Sequence, residues 1–202
     1  MDVDDFEELH YIAPTENLGS ILAHGILSHQ RASRLPHGSV AMPDIQARRR
    51  DVRVPTPDGS RPLHSYANLY FSARNPMLYK RRDRHGGLCV VGVRKDVLWL
   101  PGVVVTDCNA SSDYVRFGAG PTGLRIVDKD MVFAESWTDS VPARYYRRKS
   151  AKCAEVLVPD LVPVRFLLGV YVSTAENAHK LRRMCELPSG FGVQVNGHLF
   201  FL

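Results

Sequence analysis

Three apolar runs, each too short to cross a membrane, constrain the fold of this chain most strongly. They are LCVVGV (88–93), GVVVTD (102–107) and FLLGVYV (166–172). Short valine-rich runs of this kind are typical of strands buried within a sheet. A fourth predicted strand, CAEVLV (153–158), carries Glu155 among apolar residues, and a carboxylate in that position is ordinarily a solvated strand end. The chain is therefore expected to form a largely buried sheet.

Segments with helical spacing or helix caps lie between these strands. Thr15 is the predicted N-cap of a helix that ends at Gly25, and Thr174 is the predicted N-cap of another. Residues 43–52 and 142–152 are predicted to form two strongly basic helices. Strands and helices mixed in this way predict the α+β (mixed α/β) class.

Three further segments have less regular patterns. Asn75 and the following proline predict the start of a short helix. Residues 54–62 and 108–123 are predicted to be loops, because both are rich in glycine, proline and short polar residues. HLFF (198–201) is predicted to be a final strand.

Length and composition favour one domain spanning residues 1–202. No window reaches the roughly 18 apolar residues of a membrane span, and the acidic start MDVDDFEELH lacks the apolar segment of a signal peptide. The four cysteines form no CxxC pair, which favours neither a zinc site nor a disulfide framework. We expect a cytoplasmic protein that binds no membrane and no metal.

Positive charge is concentrated in residues 31–53, 74–85 and 144–152. These segments hold 16 of the 26 lysines and arginines but only three acidic residues. If they converge in space, they form a surface suited to a polyanion. The alternative is three separate solvated faces, and charge alone does not decide between the two.

Three stretches have residue types suited to nucleotides. In residues 9–29 a strand leads into a helix whose N-terminus offers free N–H groups to an anion. Arg48, Arg49 and Arg50 are consecutive, so on a helix they cannot all face one way, and one of them is expected to point into a site. Residues 63–79 combine aromatic and basic side chains, as base stacking beside phosphate requires; a core strand with a capped helix explains them equally well.

Other catalytic patterns do not occur. The eight histidines are dispersed, with no HExxH-like pair, and no Ser/His/Asp set has a recognisable spacing. No glycine-rich turn follows a predicted strand, so a Rossmann dinucleotide site is not expected.

Taken together, five segments resemble the DarT family, the DNA ADP-ribosyltransferase toxins of DarT–DarG toxin–antitoxin systems. In order, across about residues 9–165, they are HYIAPTENLGSILAHGILSH, IQARRRDVRVP, LHSYANLYFSARNPMLY, TDCNASSDYVRF and KCAEVLVPDLVP. The resemblance implies the ADP-ribosyltransferase fold, with two short β-sheets around an NAD cleft and flanking helices. It implies transfer of ADP-ribose from NAD to a base of single-stranded DNA, thymine being the expected base, and a DarG-like macrodomain antitoxin as a partner.

The resemblance also implies roles for particular residues. Catalysis falls on Arg49 and Glu155. NAD contacts fall on His10, Tyr11, Ile12, Ala13, Ser20 and Arg49. DNA contacts fall on Arg74, Met77, Tyr79, Asn109, Ser112, Tyr114, Arg147 and Arg148. The segment that contacts NAD and closes over it falls on about 30–53, and the substrate-reading loop on about 106–155.

Two positions depart from the family pattern. Many relatives carry histidine where this chain has Tyr11, and His10 lies one place earlier. Either residue is a candidate for the contact on the nicotinamide side. Some relatives carry histidine where this chain has Asn109, which bears on the choice of base rather than on the chemistry of NAD.

The implied chemistry gives the two catalytic candidates distinct tasks. Loss of nicotinamide leaves positive charge on the ribose, and the carboxylate of Glu155 is expected to stabilise it from the cleft edge of its strand. Arg49 is expected to orient NAD and the acceptor base. An arginine is a poor general base because its pKa lies above about 12.

Three other functions fit parts of the pattern. The same fold and chemistry can act on guanine in DNA or on RNA. A tRNA 2′-phosphotransferase shares the fold and uses NAD, but a glutamate at position 155 argues against it. A non-catalytic nucleic-acid-binding module requires only the basic and aromatic residues.

Overall fold

A computed structural model describes residues 1–39 and 42–202. Val40 and Ala41, which fall in the 30–53 segment expected to contact NAD, lie outside the described residues. The strands are β1 (Glu8–Pro14), β2 (Ile26–Leu27), β3 (Arg53–Thr56), β4 (Gly59–Pro62), β5 (Tyr66–Tyr70), β6 (Leu88–Arg94), β7 (Val104–Thr106), β8 (Phe117–Ala119), β9 (Glu155–Pro159), β10 (Leu161–Val162), β11 (Leu167–Val172) and β12 (Gly192–Val195).

The helices are short and lie around the strands. They are α1 (Leu18–His24), α2 (His29–Ala32), α3 (Pro43–Asp51), α4 (Pro76–Tyr79), α5 (Lys129–Phe133), α6 (Pro142–Ala151) and α7 (Ala175–Met184). The 3₁₀ turns are Val3–Asp5, Thr15–Asn17, Leu63–Ser65, Arg82–Gly87, Lys95–Trp99, Pro121–Ile126, Val164–Phe166 and His198–Phe200. The expected mixed α/β class is confirmed.

The main sheet has a seam at its centre. Within residues 1–39 and 42–202 its eight strands follow the order β12-β11-β6-β1-β5-β9-β7-β8. β1 pairs with β6 along its whole length, whereas in the described chain it pairs with β5 only at His10 and Tyr70. The sheet therefore divides into two four-stranded halves, in agreement with the expected pair of short sheets.

Both halves of the sheet contribute to one hydrophobic core. Leu9 and Val91 come from one half and Leu69 and Val156 from the other, and all four are fully buried. A second cluster lies on the opposite face at the seam and includes Tyr70 and Cys153. Burial on both faces accounts for the unbroken apolar runs of β6 and β9.

Three predicted elements were wrong. Residues 53–62 form the β3–β4 hairpin rather than a loop, because Thr56 and Gly59 pair across a tight turn. The polar stretch 108–123 contains β8, which pairs with β7. His198–Phe200 is a 3₁₀ turn rather than a strand, since Phe200 is drawn into the second cluster and Phe201 takes a left-handed conformation (φ 67°).

The predicted ends of the first helix were partly right. Gly25 ends α1 as expected, with φ 80°, and a Cβ at this position would lie 2.2 Å from the carbonyl oxygen of Val162. Glycine is therefore required for β10 to approach β2. Thr15 does not cap the helix, because its hydroxyl donates to the carbonyl of Gly87 (3.4 Å). Asn75 and Thr174 cap α4 and α7 as predicted.

Candidate active site

A cavity of about 610 Å³ opens at the seam of the sheet. Tyr11 and Ile12 of β1 and Asn68 and Tyr70 of β5 line it from the two halves. Its volume lies within the usual range of about 300–1,000 Å³ for small-molecule sites. The seam of the sheet therefore coincides with a cavity large enough for a small molecule.

All three basic segments reach this cavity. Arg48 and Arg49 line it from 31–53, Lys80 and Arg81 from 74–85, and Lys149 from 144–152. The charge-rich segments thus converge, as a polyanion site requires, rather than forming three separate faces.

A buried ion pair joins α3 to β9 at the base of the cavity. Nη1 of Arg49 donates to Oε1 of Glu155 (2.9 Å) and Nη2 donates to Oε2 (3.0 Å). Arg49 is 6% exposed and Glu155 0%, while Arg48 and Arg50 on either side are exposed. Helical spacing thus turns one arginine of the three inward, as predicted. The two parallel bonds are the strongest geometry available to this pair of groups.

The end of β7 and the loop that follows it hold Glu155 in place. The backbone N–H of Ala110 donates to Oε1 of Glu155 (3.0 Å). The N–H of Glu155 donates to the hydroxyl of Thr106 (3.0 Å), which donates in turn to the carbonyl of Cys108 (2.7 Å). Thr106 is fully buried. The carboxylate is therefore fixed by the start of the 108–116 loop as well as by Arg49.

The environment keeps the guanidinium of Arg49 charged. Burial by itself lowers the pKa of Arg49, but the charge of Glu155 and the hydrogen bonds to it outweigh that effect, so the pKa of Arg49 is raised. Burial also raises the pKa of Tyr11 and of Cys153 to about 12. Arg49 is thus a permanent cation, and Tyr11 and Cys153, which line the same cavity, remain protonated at neutral pH.

A sequence model described as "ssDNA thymidine ADP-ribosyltransferase, DarT" matches residues 10–200. The chain belongs to the DarT family. It is 32% identical over 187 residues to a DNA ADP-ribosyl transferase–DNA ADP-ribosyl glycohydrolase fusion protein of Thermosipho africanus, a match that covers 88% of this chain and 45% of that protein. It is 32% identical over 165 residues to a DNA ADP-ribosyl transferase of Thermus sp. 2.9, covering 77% of this chain and 76% of the relative.

Solved structures of DarT proteins share the fold. Thermus sp. 2.9 DarT in complex with ADP-ribosylated ssDNA superposes with a TM-score of 0.83 at 22% identity and covers 99% of both chains. The same protein in complex with NAD+ gives a TM-score of 0.77 at 21% identity, covering 96% of this chain and 97% of that one. The ADP-ribosyltransferase fold expected from the sequence is confirmed.

The residues expected from the DarT resemblance to bind NAD fall into two groups. Tyr11, Ile12, Ser20 and Arg49 line the cavity, whereas His10 and Ala13 lie outside its lining. Nδ1 of His10 is 3.2 Å from the carbonyl oxygen of Phe71, and its Nε2 is 3.4 Å from Glu8. Of the two candidates for the contact on the nicotinamide side, Tyr11 lines the cavity and His10 does not.

The residues expected to contact DNA divide in the same way. Met77, Asn109, Ser112 and Tyr114 line the cavity, and Arg74, Tyr79, Arg147 and Arg148 lie outside its lining. Arg148 is held by the carbonyl of Thr138 (3.3 Å) and by Asp139 (3.4 Å). The loop after β7 thus supplies most of the polar rim of a DarT-type cleft.

Sequence reasoning missed several residues that line the cavity. Tyr146 of α6 is 65% exposed at its rim beside Lys149, and Gln46 of α3 places a buried side-chain oxygen without a partner in the described chain. Both lie on helices that were predicted to be basic, so an aromatic or amide side chain among consecutive cations was the available signal.

Glu155 itself departs from the expected placement. Within the described residues it does not line the cavity, because Arg49 lies between the carboxylate and the open space.

Residues 1–39 and 42–202 contain no cluster of three or more His, Cys, Asp or Glu side chains arranged to hold a metal ion. None of the helices in those residues combines the length and the apolar character of a membrane span.

Proposed function

We propose that this DarT-family chain, as a single domain spanning residues 1–202, transfers ADP-ribose from NAD to a thymine base of single-stranded DNA. The observation that carries the proposal is the buried Arg49–Glu155 pair at the base of a cavity lined by all three basic segments. The family model names single-stranded DNA and thymidine, and a Thermus relative of the same fold is known as a complex with NAD+.

Glu155 stabilises the ribose once its guanidinium partner has moved. In the structure both of its oxygens accept bonds from Arg49, so the carboxylate cannot also contact a sugar. The pyrophosphate of NAD carries two negative charges and competes for the same planar donor set. Engagement of Arg49 by the dinucleotide would expose the carboxylate to the ribose, where it stabilises the positive charge and accepts a bond from the 2′-hydroxyl.

Arg49 acts as an electrostatic group rather than as a base. Because its pKa is raised, it has no lone pair to accept the proton of the acceptor base. The bond between ribose C1′ and nicotinamide breaks, a bond forms between C1′ and a ring nitrogen of thymine, and the proton on that nitrogen passes to Glu155 or to water. Arg49 stabilises the base anion as it forms.

The DNA side of the reaction uses the rim of the cavity. A base modified on its pairing edge has to be unpaired, which favours a single strand. Asn109 and Ser112 offer short polar groups to the base edge, while Tyr114 and Tyr146 offer exposed rings for stacking. Lys80 and Lys149 lie at the same rim and carry the charge that the phosphates need.

We also propose that the chain acts as a toxin in the cytoplasm, opposed by a DarG-like macrodomain antitoxin that removes the modification. The Thermosipho relative is named as a fusion of a DNA ADP-ribosyl transferase with a DNA ADP-ribosyl glycohydrolase, and this chain spans about half the length of that protein. No metal takes part in the proposed reaction, and NAD is consumed as a co-substrate.

Mass spectrometry of defined oligonucleotides tests the proposal. The protein is incubated with NAD and with four single-stranded DNAs, each lacking one base, and with the matching RNAs. We expect the mass of one ADP-ribose to be added to every DNA except the one without thymine. Modification that depends on guanine would make guanine the acceptor base instead of thymine. Modification of RNA alone would make RNA the substrate instead of DNA. No modification of any strand would overturn the enzymatic reading.

A further inference from the structure

A second group of aromatic side chains lies outside the cavity, on the side of the basic segment 74–85. Tyr79 at the end of α4, Trp137 in the segment after α5, and Phe201 near the end of the chain meet edge to face, and we call them the aromatic corner. Ring centroids are 5.5 Å apart for Tyr79 and Trp137, 5.0 Å for Tyr79 and Phe201, and 6.2 Å for Trp137 and Phe201. Three distant stretches of chain therefore build one surface.

Cations surround the aromatic corner. The guanidinium carbon of Arg74 lies 4.1 Å from the ring centroid of Phe201, and that of Arg82 lies 4.2 Å from the ring centroid of Tyr79. An open depression of about 620 Å³ beside Phe201 is lined by two cations, Lys80 and Arg82, and by one carboxylate, Asp83. Partly exposed rings combined with guanidinium planes and an ammonium group match a nucleotide, which presents a π-face and a phosphate together.

The aromatic corner adjoins the proposed active site. Lys80 lines both the depression and the main cavity, so the two openings share a cation. Tyr79 is 41% exposed, and Trp137 is only partly buried. Rings that served only to fill a core would be more fully covered.

We propose that the aromatic corner is a subsite for a nucleotide that flanks the modified one, whose base stacks on Trp137 and Tyr79 while its phosphate lies between Lys80 and Arg82. This inference rests on the proposed function, since it requires a single-stranded polynucleotide to cross the mouth of the cavity. It adds a residue, Trp137, to those expected to contact DNA, and it makes affinity depend on oligonucleotide length.

Steady-state kinetics on oligonucleotides of two lengths test this subsite. Trp137→Ala is compared with the wild type on a short oligonucleotide centred on the target thymidine and on versions extended by about four nucleotides on either side. Loss of one stacked base is expected to raise KM for the extended strand about ten-fold, with kcat unchanged and the short strand unaffected. Equal KM changes for both lengths, or none, would overturn the subsite.

The chain offers a matched control and a second readout. It contains two tryptophans, and Trp99 is 57% exposed but does not line either depression. Trp99→Ala is expected to leave both KM values unchanged. Trp137→Phe, which keeps a ring, is expected to restore most of the affinity for the extended strand if Trp137→Ala proves unstable in thermal unfolding.

Fluorescence separates failure of the subsite from failure of the proposed function. Trp99→Phe leaves Trp137 as the remaining tryptophan, and titration with the unmodified extended oligonucleotide, without NAD, is expected to quench its emission. Trp137→Phe, which retains Trp99, should show no quenching. Quenching by a protein that transfers no ADP-ribose would keep the subsite and reject the reaction, whereas an unquenched Trp137 would reject the subsite whatever the activity.

Discussion

Two basic segments each bury one cation, and the pKa values of these two cations are shifted in opposite directions. Arg49 of α3 is held by the two oxygens of Glu155, and its pKa is raised. Lys152, just after α6, is 2% exposed and donates to the carbonyl of Val132 (2.9 Å). Burial, with a smaller contribution from nearby Arg74, lowers the pKa of Lys152 to about 8.

The comparison shows that burial alone does not decide what a cation does. The carbonyl that accepts from Lys152 offers one dipole, which does not offset the loss of hydration. The ammonium group of Lys152 therefore loses its proton more easily than an exposed lysine. A bidentate carboxylate offsets the loss of hydration and fixes the orientation of both groups. The region with the paired cation is thereby suited to chemistry, and the region with the unpaired one to anchoring the end of α6 against α5.

The largest expected effect is on stability and comes from removing the head group of each cation in turn. Arg49→Met leaves Glu155 charged, buried and unpaired, and should lower the free energy of unfolding by about 3–5 kcal/mol. Lys152→Met removes a poorly compensated charge and should not lower the free energy of unfolding at neutral pH. Urea unfolding monitored by circular dichroism measures both.

A double variant completes this comparison. Arg49→Met combined with Glu155→Met should recover most of the lost stability, because neither charge is then left alone. If the double variant is as unstable as Arg49→Met, the loss comes from packing and not from the orphaned carboxylate.

The next effect is on catalysis. Glu155→Gln keeps the shape of the side chain but removes the charge that we propose stabilises the ribose, and should slow ADP-ribose transfer by about 100- to 1,000-fold. Single-turnover rates on a thymidine oligonucleotide measure this. Glu135→Gln, at an exposed position, is the matched control and should keep the wild-type rate. Wild-type activity in Glu155→Gln would contradict the assigned role.

A conservative change at Arg49 has a smaller expected effect. Arg49→Lys keeps the positive charge and loses the planar pair of donors, and the loss of one charge-assisted hydrogen bond corresponds to about 10- to 100-fold in rate. Partial activity in the same assay would indicate stabilisation by charge. Complete loss in a protein that still unfolds cooperatively would instead indicate that the two-pronged geometry is indispensable.

The smallest expected effect concerns pH and Lys152. Its pKa is about 8 in the folded chain against 10.5 in the unfolded one, so between these values the unfolded chain binds more protons and stability rises with pH. From about pH 7.5 to about 9.5, the wild type should gain about 2 kcal/mol relative to Lys152→Met. Parallel urea titrations of the two proteins cancel other groups, and a constant difference would show that the lysine is hydrated.

The sequence predicted the local features of the site but not the contacts between residues far apart in the chain. Helical spacing alone predicted that one arginine of three points inward, and Asn75 and Thr174 were correctly predicted as caps from residue type. The pairing of Arg49 with Glu155 joins positions 106 residues apart, which no local pattern encodes. The DarT resemblance implied a position for Glu155 at the cleft edge, whereas the structure places it behind its partner Arg49.

The wrong elements have a related cause. HLFF has the composition of a strand, but packing of Phe200 against the cluster that contains Tyr70 and Cys153 outweighs that preference. Residues 53–62 are rich in turn-forming residue types, which predicted a loop. The structure instead pairs four residues of β3 with four residues of β4. In both places tertiary contacts, rather than propensity, determined the backbone.

The seam between the half-sheets determines where the sheet opens most easily by local fluctuation. Since β1 and β5 are linked within the described residues only at His10 and Tyr70, few backbone hydrogen bonds resist a local separation there, while the neighbouring pairs β1–β6 and β5–β9 keep long ladders. Amides next to the seam should exchange with deuterium before those of β6 and β9. Because both halves share one hydrophobic core, the opening would stay local to the seam, and a ligand bridging the halves would slow exchange there first.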